Sequence, residues 1–180
     1  SDLLEDGGLE AEALLNIGNA LADGGDLEEA FEASIEALSV LKRLGGSRHM
    51  GLALRNAAVF AGRAESGRQT DRLYSELPDA MEMIGEEERP GVLIAASRAA
   101  RRHGMMLRAS ELARAAEELP ACHEDGQLAA VRAIQAICCL EGGDRTEAEA
   151  LFAKALKLAE NAFEDSDLKD DLEELRAALR

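Results

Sequence analysis

The sequence predicts an all-α protein, an α-solenoid of about four antiparallel helix hairpins closed by a C-terminal helix, and three observations carry that prediction. Apolar residues recur at helical spacing along the whole chain, as in Leu14, Ile17, Gly18 and Leu21 followed by Ala30, Ser34, Ala37 and Leu41, and no alternating strand pattern occurs. A glycine turn recurs: Leu21-Ala22-Asp23-Gly24-Gly25-Asp26 comes back as Leu140-Glu141-Gly142-Gly143-Asp144, one residue shorter ahead of the glycine pair. The composition agrees, because AVILMFWYC make up 47% of the 180 residues while aromatics make up only 3%, with no Trp. A core of Leu, Ala, Ile, Val and Met suits helices.

The elements follow from the punctuation. Further turns fall at His103-Gly104 and, more weakly, at Glu65-Ser66-Gly67, so the steps from Gly25 to Glu65, Gly104 and Gly143 are 40, 39 and 39 residues. A period near 39 divides one domain, residues 1–180, into repeats at about 9–46, 47–85, 88–121 and 125–163, with a capping helix over 165–180. Glycine accepts the positive φ that ends a helix. Asp26 with Glu29, Ser66 with Gln69, and Asp144 with Glu147 carry capping-box spacing and mark three helix starts. The Gly-Gly pairs at 7, 24, 45 and 142 are expected to be turns between helices, with no strand ahead of them and hence no phosphate loop. Pro78 to Pro90, with its Glu86-Glu87-Glu88 run, is expected to be an irregular linker.

Charge excludes several functions. With 36 acidic and 20 basic residues the chain carries a formal −16, which argues against nucleic acid as a partner, since phosphate binding needs Lys and Arg. No stretch approaches the roughly 20 apolar residues that span a bilayer, and the start lacks a signal peptide's basic residues, so no membrane role is expected. Three cysteines, Cys122, Cys138 and Cys139, are an odd number with two adjacent, which points to a reducing cytoplasm. Ser stands first instead of Met, which fits processing or a piece of a longer chain. Sixteen Arg against four Lys in an Ala-rich chain point to a GC-rich prokaryotic genome or to salt adaptation.

The residues Leu14-x-x-Ile17-Gly18-x-x-Leu21 and then Ala30-x-x-x-Ser34-x-x-Ala37 resemble the tetratricopeptide repeat. Leu93, Ala96, Ser97 and Ala100 with Ala109, Ala113, Ala116 and Pro120 fit the same pattern, as do Val131, Ile134, Gln135 and Cys138 with Ala148, Phe152 and Ala155. The second unit has two registers, Leu54, Ala57, Ala58 and Ala61 or Ala53, Asn56, Ala57 and Phe60. The resemblance covers about residues 9–163; its period exceeds the family's usual 34 and looks like the longer-helix variant of bacterial regulators. HEAT-type repeats are the structural alternative.

The resemblance implies that the first helix of each hairpin lines a concave groove. The offset from the packing slots then selects Asn16, Asn19, Arg55, Asn56, Arg98, Arg101 and Arg132 as groove residues, with Arg102 beside them. Charge supports this choice: residues 1–41 are net −11, 42–114 are net +4 and 115–180 are net −9, so the middle is basic. Asn can pair with a peptide backbone and Arg can grip carboxylates, which implies a protein or peptide partner with acidic groups. The other reading leaves these arginines solvated or paired with the acidic flanks. Members that bind chaperone tails need basic residues where Leu15, Gly91 and Ala95 stand, so that partner is not implied. The alternative function is a sensor or self-association region of a larger bacterial regulator, with a homodimer as its form. No enzyme is expected, because His49, His103 and His123 fall in separate turns without triad partners. No cofactor or metal is expected either: Cys122-His123 with Cys138-Cys139 lacks zinc spacing, and Met81, Met83, Met105 and Met106 read as core filling.

Overall fold

The computed structural model describes residues 2–46, 49–162 and 166–180. Among them the chain forms nine helices and no strand: α1 (Asp2–Gly24), α2 (Leu27–Arg43), α3 (His49–Arg63), α4 (Arg68–Met83), α5 (Arg89–Arg102), α6 (Met106–Glu117), α7 (Asp125–Glu141), α8 (Arg145–Ala159) and α9 (Ser166–Ala178). Consecutive helices pair as hairpins, α1 with α2, α3 with α4, α5 with α6 and α7 with α8. The odd-numbered helices touch in sequence, α1 on α3, α3 on α5 and α5 on α7, and make an inner layer. The even-numbered helices lie outside, and α9 follows the last hairpin, against α7 and α8. The chain is an all-α repeat solenoid.

Turn chemistry explains the hairpins. Gly25, Gly104 and Gly143 take φ of 93°, 73° and 86°. Each is followed by an amide that reaches back five residues, Asp26 to Leu21, Met105 to Ala100 and Asp144 to Cys139, all at 2.9 Å. These six-to-one bonds, with the glycine amide bonded three residues back, are Schellman closures that satisfy the last carbonyls of α1, α5 and α7. Gly45, at φ 83°, closes α2 the same way. Gly67 does not: its φ is −71°, and the α3–α4 turn lacks the motif.

Small residues set the hairpin spacing. A Cβ on Gly18 would stand 3.2 Å from the Ala30 carbonyl oxygen, so α1 and α2 touch backbone to backbone there. In α5 the same slot holds buried Ser97, whose hydroxyl donates to the Ala109 carbonyl at 2.6 Å and ties α5 to α6. Between neighbouring hairpins a Cβ on Gly62 would meet the Ala99 Cα at 3.0 Å. Phe31, Leu38, Leu41, Met50, Leu54, Leu73, Val92, Val131 and Ile134 fill the remaining core. In the second hairpin Leu54, Ala57, Ala58 and Ala61 are all buried, whereas Asn56 of the shifted register is half-exposed, so the first register describes the packing.

Three local expectations are corrected. Gly7 and Gly8 do not form a turn but lie inside α1, where a Cβ on Gly7 would stand 3.0 Å from the Leu44 side chain. The stretch after Pro78 is not a linker until residue 84, because α4 continues to Met83. Pro78 is exposed while Leu77 and Ala80 are buried, so the ring faces water and packing on both sides holds the helix through the missing bond. Of the three capping-box spacings only that of α8 yields a side-chain cap among the described residues, where Asp144 Oδ1 accepts from the Glu147 amide at 3.1 Å. Asp26 turns its carboxylate back over Gly24, and Ser66 accepts from the Arg68 amide one position ahead of the N-cap Gly67.

Gly18→Leu should therefore destabilise the chain by about 1–3 kcal/mol through overpacking, measured by urea denaturation. Gly8→Ala, which meets nothing within 4 Å, should stabilise by about 0.5–1 kcal/mol as an ordinary helical glycine replacement.

Candidate functional site

The inner face of the stack holds a cavity of about 350 Å³ between α3, α5, α7 and the start of α9. Arg55, Asn56 and Val59 come from α3, Gly91, Ile94, Ala95 and Arg98 from α5, Gly126, Gln127 and Ala130 from α7, and Asp167 from α9. The spacing explains the hollow. Gly91 with Ala95, and Gly126 with Ala130, put one small residue per turn on the same side of α5 and α7, so the two helices leave room instead of filling it. Asn56 Nδ2 donates to Asn19 Oδ1 at 3.2 Å, linking α1 and α3 along this face, and Asn16 is exposed one turn earlier on α1. Arg55 is exposed at the mouth, with no ion pair among the described residues. The Gln127 Oε1 is buried there without a hydrogen-bond partner among the described residues.

Arg98 and Arg101 also lie on this face, but they are not presented to a ligand: each is 8% exposed and covered by α9. Asp171, 1% exposed, accepts from Arg98 Nε at 2.8 Å and from an Arg101 terminal nitrogen at 3.0 Å. Glu174 takes both oxygens to Arg101 at 2.9 Å, and Asp167 stands 3.8 Å from Arg98 and 3.6 Å from Arg102. The reading that paired these arginines with an acidic flank describes what the chain does with them. Burial pushes the Asp171 carboxyl above its ordinary value, and the charges of Arg98, Arg101 and Arg102 offset only part of that push.

Arg132 is a second correction. It faces away from the cavity and ties α7 to α6, donating to Glu117 Oε2 at 3.0 Å while Gln135 donates to the same oxygen at 3.0 Å. Residue 132 lies about 200° around α7 from Ala130, on the outward side. Burial alone would push Glu117 up, but the hydrogen bonds from Gln135 and Arg132 and the charges of Arg132 and Arg114 outweigh it and hold the carboxyl below its ordinary 4.5.

The residues missed from the sequence are Asp167, Asp171, Glu174 and Gln127. A signal for the first three was present, since acids at steps of four and three along one helix match Arg98 and Arg101, themselves three apart. Nucleophilic chemistry finds little support here. Cys138 is pushed up to about 11 by burial and by Cys139, against the pull of Arg101, and burial also raises Cys122 and Cys139, so all three thiols stay protonated at neutral pH. His103 Nε2 donates to the Ala61 carbonyl at 2.8 Å and pins its turn against α3. No group of three or more His, Cys, Asp or Glu among the described residues is arranged to hold a metal ion, and no helix there is long and apolar enough to cross a membrane.

Two measurements check this electrostatic account. Asp171→Ala should cost about 3 kcal/mol in urea denaturation, because it leaves two buried guanidinium groups without their shared carboxylate. Glu117, with its folded value below 4.5, contributes stability that is present above that pH and lost as the pH falls through the folded value. In Glu117→Gln the plot of Tm against pH should therefore be flatter on its acid side than in the parent.

Residues 11–49 match the family model described as Tetratricopeptide repeat, a span that begins within α1, covers α2 and ends at the start of α3. No curated protein matches the chain. That repeat is similar to the tetratricopeptide repeat, and hairpins of similar build are stacked behind it.

Proposed function

We propose that the chain is an interaction module that takes a protein or peptide on the inner face of its stack, at the cavity bounded by Arg55, Asn56 and Gln127. Repeats of this family mediate protein–protein interaction. The observation that carries the reading for this chain is the cavity itself, where an exposed Arg55 without an ion pair among the described residues stands over Asn56, Ile94 and the two glycines of α5 and α7. An extended peptide would set backbone against the Asn19 and Asn56 amides and a carboxylate against Arg55, which grips such a group through two parallel bonds. Binding, not catalysis, suits a site whose nearest thiols are protonated and whose nearest histidines sit in turns. A reducing cytoplasm suits three cysteines that are all free.

The test is direct. Fluorescently labelled acidic and basic peptides are titrated against the full chain and against Arg55→Glu with Asn56→Ala, two positions that are exposed and half-exposed. Acidic peptides should bind the parent and lose at least about tenfold in affinity to the variant, with Tm unchanged within about 2 °C. Equal binding of acidic peptides to both proteins, or no binding of any peptide, sinks the reading.

A further inference from the structure

The helix that covers Arg98 and Arg101 has the character of a ligand. α9 presents two adjacent stripes: Asp167, Asp171 and Glu174 on one, Leu168, Leu172 and Leu175 on the other. Leu168 and Leu175 are 4% and 0% exposed, and Leu172 is half-buried. The acid stripe meets Arg98, Arg101 and Arg102 of α5, two hairpins back in the spatial order from α9, while the leucine stripe rests on the last hairpin. α9 thus packs on α7 and α8 and reaches α5 through its acids alone, with charge fixing its register and leucines supplying the adhesion.

Apart from the three acids of α9, Arg98 and Arg101 project from a helix already fixed by Ser97, Ala96 and Ala100 against α6 and its neighbours. A buried ion pair returns little net stability, because desolvation of both charges offsets their attraction. What the pairing supplies is selection for an acid at the right place along a helix. Among the described residues α9 contributes only Asp167 to the cavity wall, so Arg55 and most of the 350 Å³ stay uncovered.

We propose that this inner face is a docking site for an acidic amphipathic helix supplied by another protein, and that α9, with the same spacing of acids and leucines, is the resident occupant that this helix displaces. The proposal rests on the reading of the inner face as an interaction surface and adds the chemistry of the partner. A tethered occupant competes at an effective concentration of order millimolar. An incoming helix wins by contacts that α9 does not make: an acidic turn extended past the Asp167 position would enter the cavity and reach Arg55.

The experiment uses the full chain and a labelled synthetic peptide of residues 166–180, read by fluorescence polarisation. In Leu168→Ala with Leu175→Ala the resident helix is loosened and the groove residues are untouched, so the peptide should bind at least about tenfold tighter than to the parent. Far-UV circular dichroism and the melting curve establish that this variant is folded. Adding Arg101→Glu to it should remove the gain, and a peptide with arginine at the position of Glu174, which pairs with Arg101, should recover it. Equal affinity of parent and loosened chain, or binding indifferent to the charge exchange, overturns the displacement proposal. If acidic peptides still bind through Arg55 in that case, the interaction surface stands without it. A dimer of the parent chain that dissociates on Leu168→Ala with Leu175→Ala would make a second copy the occupant and overturn the foreign helix.

Discussion

Everything in this molecule follows from how closely two helices can approach. Where Gly18 faces Ala30 no side chain keeps the helices of a hairpin apart, and where Ser97 faces Ala109 only a hydroxyl bonded to the carbonyl stands between them. That proximity makes the hairpin a flat unit with two apolar sides, and a flat unit can only bury those sides by stacking on another of its kind. Gly62 against Ala99 repeats the device between hairpins. An alanine-rich core is the consequence, with few large side chains needed and Phe31 and Phe60 among the exceptions.

The same economy of bulk produces the inner face. Residues that are small toward a neighbouring helix close a gap, while Gly91, Ala95, Gly126 and Ala130, small toward solvent, open one. The hollow is rimmed by groups that cannot satisfy each other fully: Asn19 and Asn56 share one hydrogen bond, and Arg55 reaches no carboxylate among the described residues. Farther along, the arginines are satisfied because α9 brings three acids to them. The outer face follows different rules. There Arg72 meets Glu32, Lys42 meets Glu76 and Arg108 meets Asp71, bridging α2 to α4 and α4 to α6, mostly at exposed positions where each pair is worth roughly 0–1 kcal/mol. These pairs decorate the stack; the inner cluster is withdrawn from water.

How far the sequence could be read depended on the range of the physics involved. Gly25, Gly104 and Gly143 were legible because a left-handed residue after a helical pattern is a local event, decided within six residues. Asp26 carries the same capping signature as Asp144 and does not cap, although the backbone angles of the two residues are close. A side-chain rotamer separates them, and no spacing rule encodes a rotamer. Pro78 and the Gly7-Gly8 pair read as breaks on propensity alone, yet both sit within helices because packing on their flanks outweighs a lost bond or a flexible residue. Arg132 fell on the wrong side of its helix by the width of two residues, since the groove offset was carried over from the first hairpin to one whose small slot holds Gln135.

The sequence by itself determined the element types, the hairpin boundaries near each glycine, and the concentration of positive charge in the middle third, because these depend on neighbours within a turn or two along the chain. Only the tertiary structure decided what that positive charge meets. Arg98 and Asp171 are 73 residues apart, and their encounter depends on the rotation accumulated over the intervening hairpin of α7 and α8, which no local pattern records. Whether an arginine faces water or a buried carboxylate is a property of that rotation, and it sets which part of the inner face is left open.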